Sequence, residues 1–407
     1  MRFFEDCDGV TEARGFFASG VHCDVKGNHN GKLDLGVIYS PHPCHAAGVF
    51  TTNDIKAAPV TLCQEILKKS GNSFHAIVAN SGNANACTGT QGELDAKKML
   101  SETARHLKIK PDQVLVCSTG RIGVPLPMSK ITAGIGDACN DVLDELDGGE
   151  AFQEAILTSD TCTKSCSAKI ETSSGMTVTI GGVVKGAGMI QPDMATMLAF
   201  ICSDASVSPS FMQTHLSRAV AKSFNRITID GDMSTNDSVL FLTNGSTGVD
   251  IEKEPKKTQE AFIDALEKIC SCLARKCVSD GEKVTKFVRV LVEGAKDVDG
   301  AEKIARAIAN SLLVKSSWFG SDPNWGRIID AAGYAKAGIQ FQNIDLFYDS
   351  IPALLSGVPQ VGNKSQWKEI VSKKSFLIRL NLNQGSASEE IWSNDLSEAY
   401  VSFNKSE

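Results

Sequence analysis

Strand-like and helix-like segments alternate along the whole chain, and this alternation constrains the fold more than any other feature. Short apolar runs predict strands at Leu33–Ser40, Ala47–Thr52, His75–Asn80, Val114–Cys117, Met176–Lys185, from Met197, and at Val239–Thr243, Phe287–Val292 and Phe376–Leu382. Apolar residues at helical spacing predict helices at Glu93–Leu107, Ile131–Leu146, Pro209–Phe224, Thr258–Cys277 and Ala301–Val314. In the first of these helices, the expected apolar face is Leu94, Met99, Leu100, Ala104 and Leu107. The pattern predicts a mixed α/β (α+β) protein, and 407 residues allow two or three domains.

Charge and composition exclude several classes of protein. Lys and Arg total 41 against 48 Asp and Glu, a net charge of −7 with no basic stripe, so we expect no nucleic-acid partner. The sequence has no apolar run of transmembrane length and no signal peptide, so we expect a cytoplasmic protein without a membrane partner. Its 13 cysteines lack metal-ligand spacing and are expected to be reduced, mostly in the core, with no metal site.

A glycine- and asparagine-rich segment, Ser81–Gly89, follows one predicted strand. It lacks the spacing and the lysine of phosphate-binding loops, so we interpret it as a tight turn with Asn in left-handed positions. Thr119-Gly120 follows another strand, where backbone N–H groups can point outward to stabilise an oxyanion. An ordinary strand-to-helix connection explains those two residues equally well.

The Ala195–Thr196 bond is a possible site of self-cleavage that would produce a nucleophilic threonine. A threonine hydroxyl becomes a good nucleophile when the residue is N-terminal, because its own α-amine serves as the base. An internal threonine reaches that state only by cutting the chain before itself. Gly186 and Gly188 permit strained backbone nearby, although the residues alone leave open an ordinary buried strand threonine.

Acidic turns recur in the second half of the chain. They are Asp230–Asp237, Asp280-Gly281-Glu282 and Ser321–Arg327. Their carboxylates can hold an amino group, but for each turn taken singly the residue types favour a solvated turn.

Taken together, these segments resemble the ornithine acetyltransferase family, the bifunctional glutamate N-acetyltransferases of arginine biosynthesis. The matching blocks are Ala47–Asn53, Lys56–Val60, Asn80–Gly89, Ser118–Gly120, Lys185–Ile190, Pro192–Leu198, Asp230–Asp237 and Asp322–Arg327. The blocks extend over nearly the whole chain in order, which makes the resemblance specific.

The resemblance implies a two-domain fold of the family's own type that cuts itself between Ala195 and Thr196. The α chain would be residues 1–195 and the β chain residues 196–407. Thr196 would take the acetyl group from N2-acetylornithine and pass it to glutamate in a ping-pong reaction. Acetyl-CoA is a further donor in some members.

The same resemblance assigns roles to particular residues. Thr119 and Gly120 match the oxyanion hole, and the substrate-binding positions are Thr158, Lys185, Thr196, Glu282 and Asn404. No metal or organic cofactor is implied. The partners implied are the small-molecule substrates and the α and β chains, assembled as a heterotetramer in the cytoplasm.

Three features depart from the family pattern. Lys283-Val284 stands where the family has Gly-Ala, beside Glu282. Arg121 replaces a small or apolar residue. The family usually continues beyond Asn404 to a Thr or Ser that touches the substrate, and here we expect that contact to be missing or supplied by another residue.

Two alternatives to the acetyltransferase remain. One is a self-processing N-terminal-nucleophile amidase or aminopeptidase, which would pass its acyl group to water instead of glutamate. The other is an uncleaved, non-catalytic relative, which would keep the bond before Thr196 intact.

Overall fold

The structure is a computed structural model, and it describes residues 1–69, 73–144, 148–191 and 197–405. Its strands are β1 (Arg2–Glu5), β2 (Phe17–Val21), β3 (Leu35–Phe50), β4 (Phe74–Asn80), β5 (Val114–Ser118), β6 (Ser165–Glu171), β7 (Thr177–Lys185), β8 (Leu198–Ser203), β9 (Ser238–Thr243), β10 (Phe287–Ala295), β11 (Asp345–Tyr348), β12 (Ile351–Leu355), β13 (Val358–Pro359), β14 (Ser375–Asn381) and β15 (Ala387–Asn394). Its α-helices are α1 (Ala58–Lys69), α2 (Gly89–Leu107), α3 (Met128–Asp144), α4 (Gly149–Ala155), α5 (Pro209–Ala221), α6 (Lys256–Ser279), α7 (Val298–Asn310), α8 (Leu312–Phe319), α9 (Trp325–Tyr334), α10 (Lys364–Val371) and α11 (Glu398–Phe403). The predicted mixed α/β class is confirmed.

The chain divides into two compact units, each described here by itself. Unit one comprises residues 1–187, 193–225 and 233–277, and unit two comprises 188–192, 226–232 and 278–407. These units are a different division from the α and β chains expected of self-cleavage, which stay a prediction.

Unit one is built on a nine-stranded sheet. The strand order is β1-β6-β7-β8-β9-β3-β4-β5, and β2 pairs with β3. Helices α2, α3 and α4 pack around the β2–β5 part of the sheet and share its apolar core. Four residues of the predicted apolar face of α2 are buried, namely Met99, Leu100, Ala104 and Leu107. Leu94 is 54% exposed, so its assignment to that face was wrong. Ala96 takes part in the core instead, because the buried face turns toward Ala96 and Met99.

The two strands predicted at Leu33–Ser40 and Ala47–Thr52 form one 16-residue strand, β3. Its first half pairs with β4 and its second half with β9, with a register shift between Tyr39 and Cys44. Pro41 and Pro43 lie in that interval. They cannot donate ladder hydrogen bonds, which explains why the sequence pattern was interrupted although the backbone stays extended.

The centre of this sheet brings three strand ends together. Strand β7 is antiparallel to β8 and pairs Lys185 with Leu198, while β9 is parallel to β8 and pairs Ser238 with Leu198. The end of β7 therefore lies beside the starts of β8 and β9, and polar residues just outside these strands meet at one edge.

Unit two has a six-stranded sheet in the order β13-β12-β11-β14-β10-β15. Helix α7 packs on β10 and β15, and Trp318 and Trp367 fill the core. The single helix predicted at Ala301–Val314 was wrong, because the chain breaks at Ser311 into α7 and α8. The Ser311 hydroxyl oxygen accepts the Val314 N–H and starts the second helix.

No helix among the described residues combines the length and apolarity needed to cross a bilayer. Leu146, the predicted end of α3, lies outside the described residues.

Candidate active site

Thr119 and Gly120 lie in a tight loop directly after strand β5. The Thr119 N–H donates to the Asn80 carbonyl oxygen at 3.0 Å, so that N–H is already used. Gly120 has φ +132°, and a Cβ there would lie 2.3 Å from the Gly82 carbonyl carbon, so only glycine fits. Within the described residues the exposed Gly120 N–H meets no acceptor. One backbone donor is therefore available, not the two that a pair of outward N–H groups would supply.

The neighbouring 81–89 turn and Asn236 hold this loop. The Asn236 amide nitrogen donates to the carbonyl oxygens of Ala84 at 2.6 Å and Ser118 at 2.8 Å. Asn85 has φ +47°, so the predicted turn with a left-handed Asn is confirmed. The support from Asn236 was missed, because the resemblance covered its segment without giving it a role.

Lys185, at the end of β7, gathers two of the predicted residues. Its Nζ donates to the Thr158 hydroxyl oxygen at 2.7 Å and to the Thr119 hydroxyl oxygen at 3.2 Å. The Lys185 side chain is 2% exposed. Since the Thr119 oxygen accepts from Lys185, its own O–H proton stays available for another acceptor, such as a developing oxyanion.

Asp160 organises this cluster and was not predicted. Its Oδ1 accepts the Gly186 N–H at 2.6 Å and the Lys164 ammonium at 2.7 Å. Its Oδ2 accepts the Thr158 N–H at 3.1 Å and lies 3.9 Å from Lys185 Nζ. Asp160 and Lys164 lie four residues apart but outside any helix, where that spacing does not predict a contact.

Burial and the neighbouring opposite charges shift the pKa values of Asp160 and Lys185 in opposite directions. Burial alone would raise the pKa of Asp160, but the ammonium groups of Lys185 and Lys164 hold that pKa well below its usual range. Burial lowers the pKa of Lys185, Asp160 opposes that change, and Lys164 adds to it. Asp160 thus helps Lys185 to keep its proton.

The chain that follows the predicted nucleophile is anchored by Asp237. Ala195 and Thr196 lie outside the described residues, and the described chain resumes at Met197. The Met197 N–H donates to Asp237 Oδ1 at 2.9 Å. Asp237 is buried, and among the described residues its Oδ2 has no hydrogen-bond partner. Burial raises the pKa of its carboxyl well above the usual range.

Unit two supplies Glu282 and Asn404. The Asn404 amide nitrogen donates to Glu282 Oε2 at 3.2 Å. A Cβ on Gly188 would lie 2.5 Å from Glu282 Oε1, so the glycine leaves the room that this carboxylate occupies. Glu282 is 9% exposed, and no cation within the described residues pairs with it. A nearly buried carboxylate of this kind favours a cationic ligand.

The cysteines and the potential metal ligands are further groups for which the sequence makes predictions. Within the described residues no group of three or more His, Cys, Asp or Glu side chains could hold a metal ion. All thirteen cysteines are described, none is in a disulfide, and nine are buried, so the expectation of mostly core thiols is confirmed.

The comparisons with known proteins decide the family. A model of the ArgJ family matches residues 17–406. The chain belongs to the ArgJ family. The arginine biosynthesis bifunctional protein ArgJ of Symbiobacterium thermophilum is 43% identical over 398 residues, which cover 98% of each chain. That of Thermotoga neapolitana is 44% identical over 395 residues, covering 96% of this chain and 98% of the relative. The crystal structure of ornithine acetyltransferase from Mycobacterium tuberculosis with ornithine is 35% identical, covering 47% of this chain and 98% of its own, with a TM-score of 0.42.

Membership in the ArgJ family confirms the resemblance inferred from the sequence blocks. Within unit one, the structure brings Thr119, Gly120, Thr158 and Lys185 together. Within unit two, it brings Glu282 and Asn404 together. The chemical roles of these residues stay predictions.

Proposed function

We propose that this ArgJ-family enzyme moves the acetyl group of N2-acetylornithine to glutamate, with acetyl-CoA as a further donor. Membership in a family of bifunctional arginine biosynthesis proteins supports this enzyme class. The observation that carries the site is the convergence of Thr119 and Thr158 on the Lys185 ammonium beside the Gly120 N–H. Family membership also favours acetyl transfer over the amidase, aminopeptidase and non-catalytic alternatives.

The proposed nucleophile is Thr196, freed by autocatalytic cleavage after Ala195. The hydroxyl oxygen attacks the Ala195 carbonyl carbon, the peptide becomes an ester, and water releases residues 1–195. The new α-amine has an ordinary pKa of about 7.7–8.0, which suits a base at neutral pH. We propose that the two chains stay together and assemble as a heterotetramer in the cytoplasm.

In the first half-reaction the Thr196 oxygen bonds to the acetyl carbonyl carbon. The bond between that carbon and the α-nitrogen of ornithine breaks, and the hydroxyl proton passes through the Thr196 amine to the departing nitrogen. The Gly120 N–H and the Thr119 O–H stabilise the oxyanion. Removing one such donor typically costs about 10²–10³-fold in rate.

The substrate charges fit the two charged positions. Lys185 pairs with the α-carboxylate of acetylornithine, and Glu282 with its δ-ammonium. In the second half-reaction the α-amine of glutamate attacks the acetyl ester, a C–N bond forms, and the Thr196 oxygen leaves with a proton. These steps use residues of the chain, and we propose that no metal or organic cofactor takes part.

The test begins with the denatured mass and the N-terminal sequence of the purified protein. We expect two chains, one beginning at Thr196, and release of ornithine from acetylornithine when glutamate is present. Thr196→Ala should give one uncut 43.4 kDa chain without transfer. A two-chain product from that variant would refute the assignment of the nucleophile.

A further inference from the structure

A ping-pong enzyme of the proposed kind must accept opposite charges in turn. The side chain of the donor ends in an ammonium group, and the side chain of the glutamate acceptor ends in a carboxylate. Glu282 suits the first ligand but repels the second, since two carboxylates would approach each other in a largely buried place. A cation near Glu282 would offset this repulsion in the second half-reaction.

Lys283 directly follows Glu282 and carries such a cation. Its side chain is exposed, and it makes no ion pair within the described part of the chain. Its ammonium lies 5.0 Å from the centre of the Phe403 ring. An exposed contact of this kind is weak, so the ammonium can leave the ring for a carboxylate at small cost.

The backbone places both charges against the same short segment. Phe403 is the last residue of α11, and the next residue, Asn404, donates to Glu282. The Ser397 hydroxyl, which caps the start of α11, donates to the Lys283 carbonyl oxygen at 2.6 Å. The start of α11 thus contacts Lys283 and the residue after its end contacts Glu282.

The backbone conformation of Lys283 is unusual for a lysine. It has φ +55°, in the left-handed region that favours glycine. The backbone disfavours a lysine at this position, and no ion pair to another described residue compensates.

We propose that Lys283 binds the side-chain carboxylate of the glutamate acceptor in the second half-reaction. The ammonium leaves the Phe403 ring when glutamate enters and returns when an ammonium-bearing ligand occupies Glu282. This proposal rests on the proposed function, and it makes the acceptor site of this chain depend on a residue that the donor does not need.

Ping-pong kinetics separate the two half-reactions and so test the proposal. Lys283→Met should raise the KM for glutamate about tenfold, as expected for loss of a charge-assisted hydrogen bond. Single-turnover release of ornithine from acetylornithine should stay within twofold of wild type. Lys283→Arg should keep most of the affinity for glutamate, because it retains the positive charge.

Phe403→Leu should change the KM for glutamate in the direction opposite to Lys283→Met. Without the ring, the Lys283 ammonium loses its resting contact, and the KM for glutamate should fall about two- to fourfold. Lys336→Met is the matched control, since Lys336 is also exposed and left-handed, with φ +56°. It should change neither half-reaction.

The outcomes are distinguishable. If wild type releases no ornithine from acetylornithine, the proposed function fails. If release is normal and Lys283→Met leaves the KM for glutamate unchanged, the role of Lys283 alone is refuted. If Lys283→Met and Phe403→Leu both weaken acetylornithine instead, the contact only fastens α11, and the acceptor role is again refuted.

Discussion

Replacing Asp160 by asparagine tests how unit one keeps Lys185 charged and in place. The Asp160 side chain has no exposed surface, and its Oδ2 lies 3.9 Å from Lys185 Nζ. At an effective dielectric constant of about 20, that distance corresponds to an attraction of about 4 kcal/mol. Removing one partner of a buried ion pair costs about 3–5 kcal/mol, which is of the same size.

Asparagine also cannot satisfy the backbone donors around it. Asp160 accepts the Gly186 N–H with one oxygen and the Thr158 N–H with the other. The side-chain amide has one oxygen, so its NH2 group must face one of these N–H donors. Either choice displaces the chain next to Lys185 or Thr158.

We therefore expect Asp160→Asn to lower kcat/KM for acetylornithine about 10²–10³-fold near neutral pH, which equals about 2.7–4 kcal/mol. The assay is release of ornithine with glutamate in excess, measured from about pH 6 to pH 10. Because Asp160 opposes the loss of the Lys185 proton, the alkaline limb should move to lower pH in the variant.

Lys164→Met is the matched control, with an opposite shift. It also breaks a buried ion pair, so both variants should lose thermal stability. Lys164 lowers the pKa of Lys185, however, and its removal should move the alkaline limb to higher pH. Alkaline limbs that stay in place, or move in the same direction in both variants, would refute this reasoning.

Three further predictions concern single residues. Gly120→Ala should abolish formation of the acetyl-enzyme seen by mass spectrometry, since its Cβ would lie 2.3 Å from the Gly82 carbonyl carbon; a normal yield would remove Gly120 from the site. Glu282→Gln should raise the KM for acetylornithine about tenfold without affecting cleavage, and an unchanged KM would contradict its contact with the donor. Burial raises the pKa of Asp237, so its folding stabilisation is complete below its unfolded pKa of about 3.9 and is lost as pH rises toward the folded pKa. Thermal unfolding of Asp237→Asn should therefore occur at increasingly higher temperature than that of wild type as pH rises, and a constant difference would show that this carboxyl does not titrate there.

Local pattern predicted the strands that carry the site, but not the contacts made at their ends. The apolar runs that became β5 and β7 are dictated by burial, and their bounds were close to the observed ones. Asp160 and Asn236 escaped prediction because their partners lie far away in sequence, such as Gly186 for the first and Ala84 for the second. Hydrogen bonds of this range follow from the tertiary fold and leave no periodic signal.

Two errors in the predicted bounds of strands and helices have local physical causes. The two prolines in β3 interrupted the strand pattern without ending the strand. Helix α8 begins at a serine cap inside a run that otherwise reads as continuous helix. Both features depend on single hydrogen bonds, made or missing, which composition and apolar spacing do not record.

Each unit, taken by itself, holds a charge that a substrate can complement. In unit one, Lys185 shares the negative charge of Asp160 with Lys164, and burial raises the pKa of the nearby Asp237 carboxyl well above its usual range. In unit two, Glu282 is nearly buried and meets no cation within the described residues. Unneutralised buried charges are costly unless a ligand supplies the partner. N2-acetylornithine carries one carboxylate and one ammonium, which are opposite in charge to Lys185 and Glu282 respectively, whereas the side chain of glutamate has the same charge as Glu282. In this chain, the proposed contact of Lys283 with the side-chain carboxylate of glutamate would offset the repulsion between that carboxylate and Glu282.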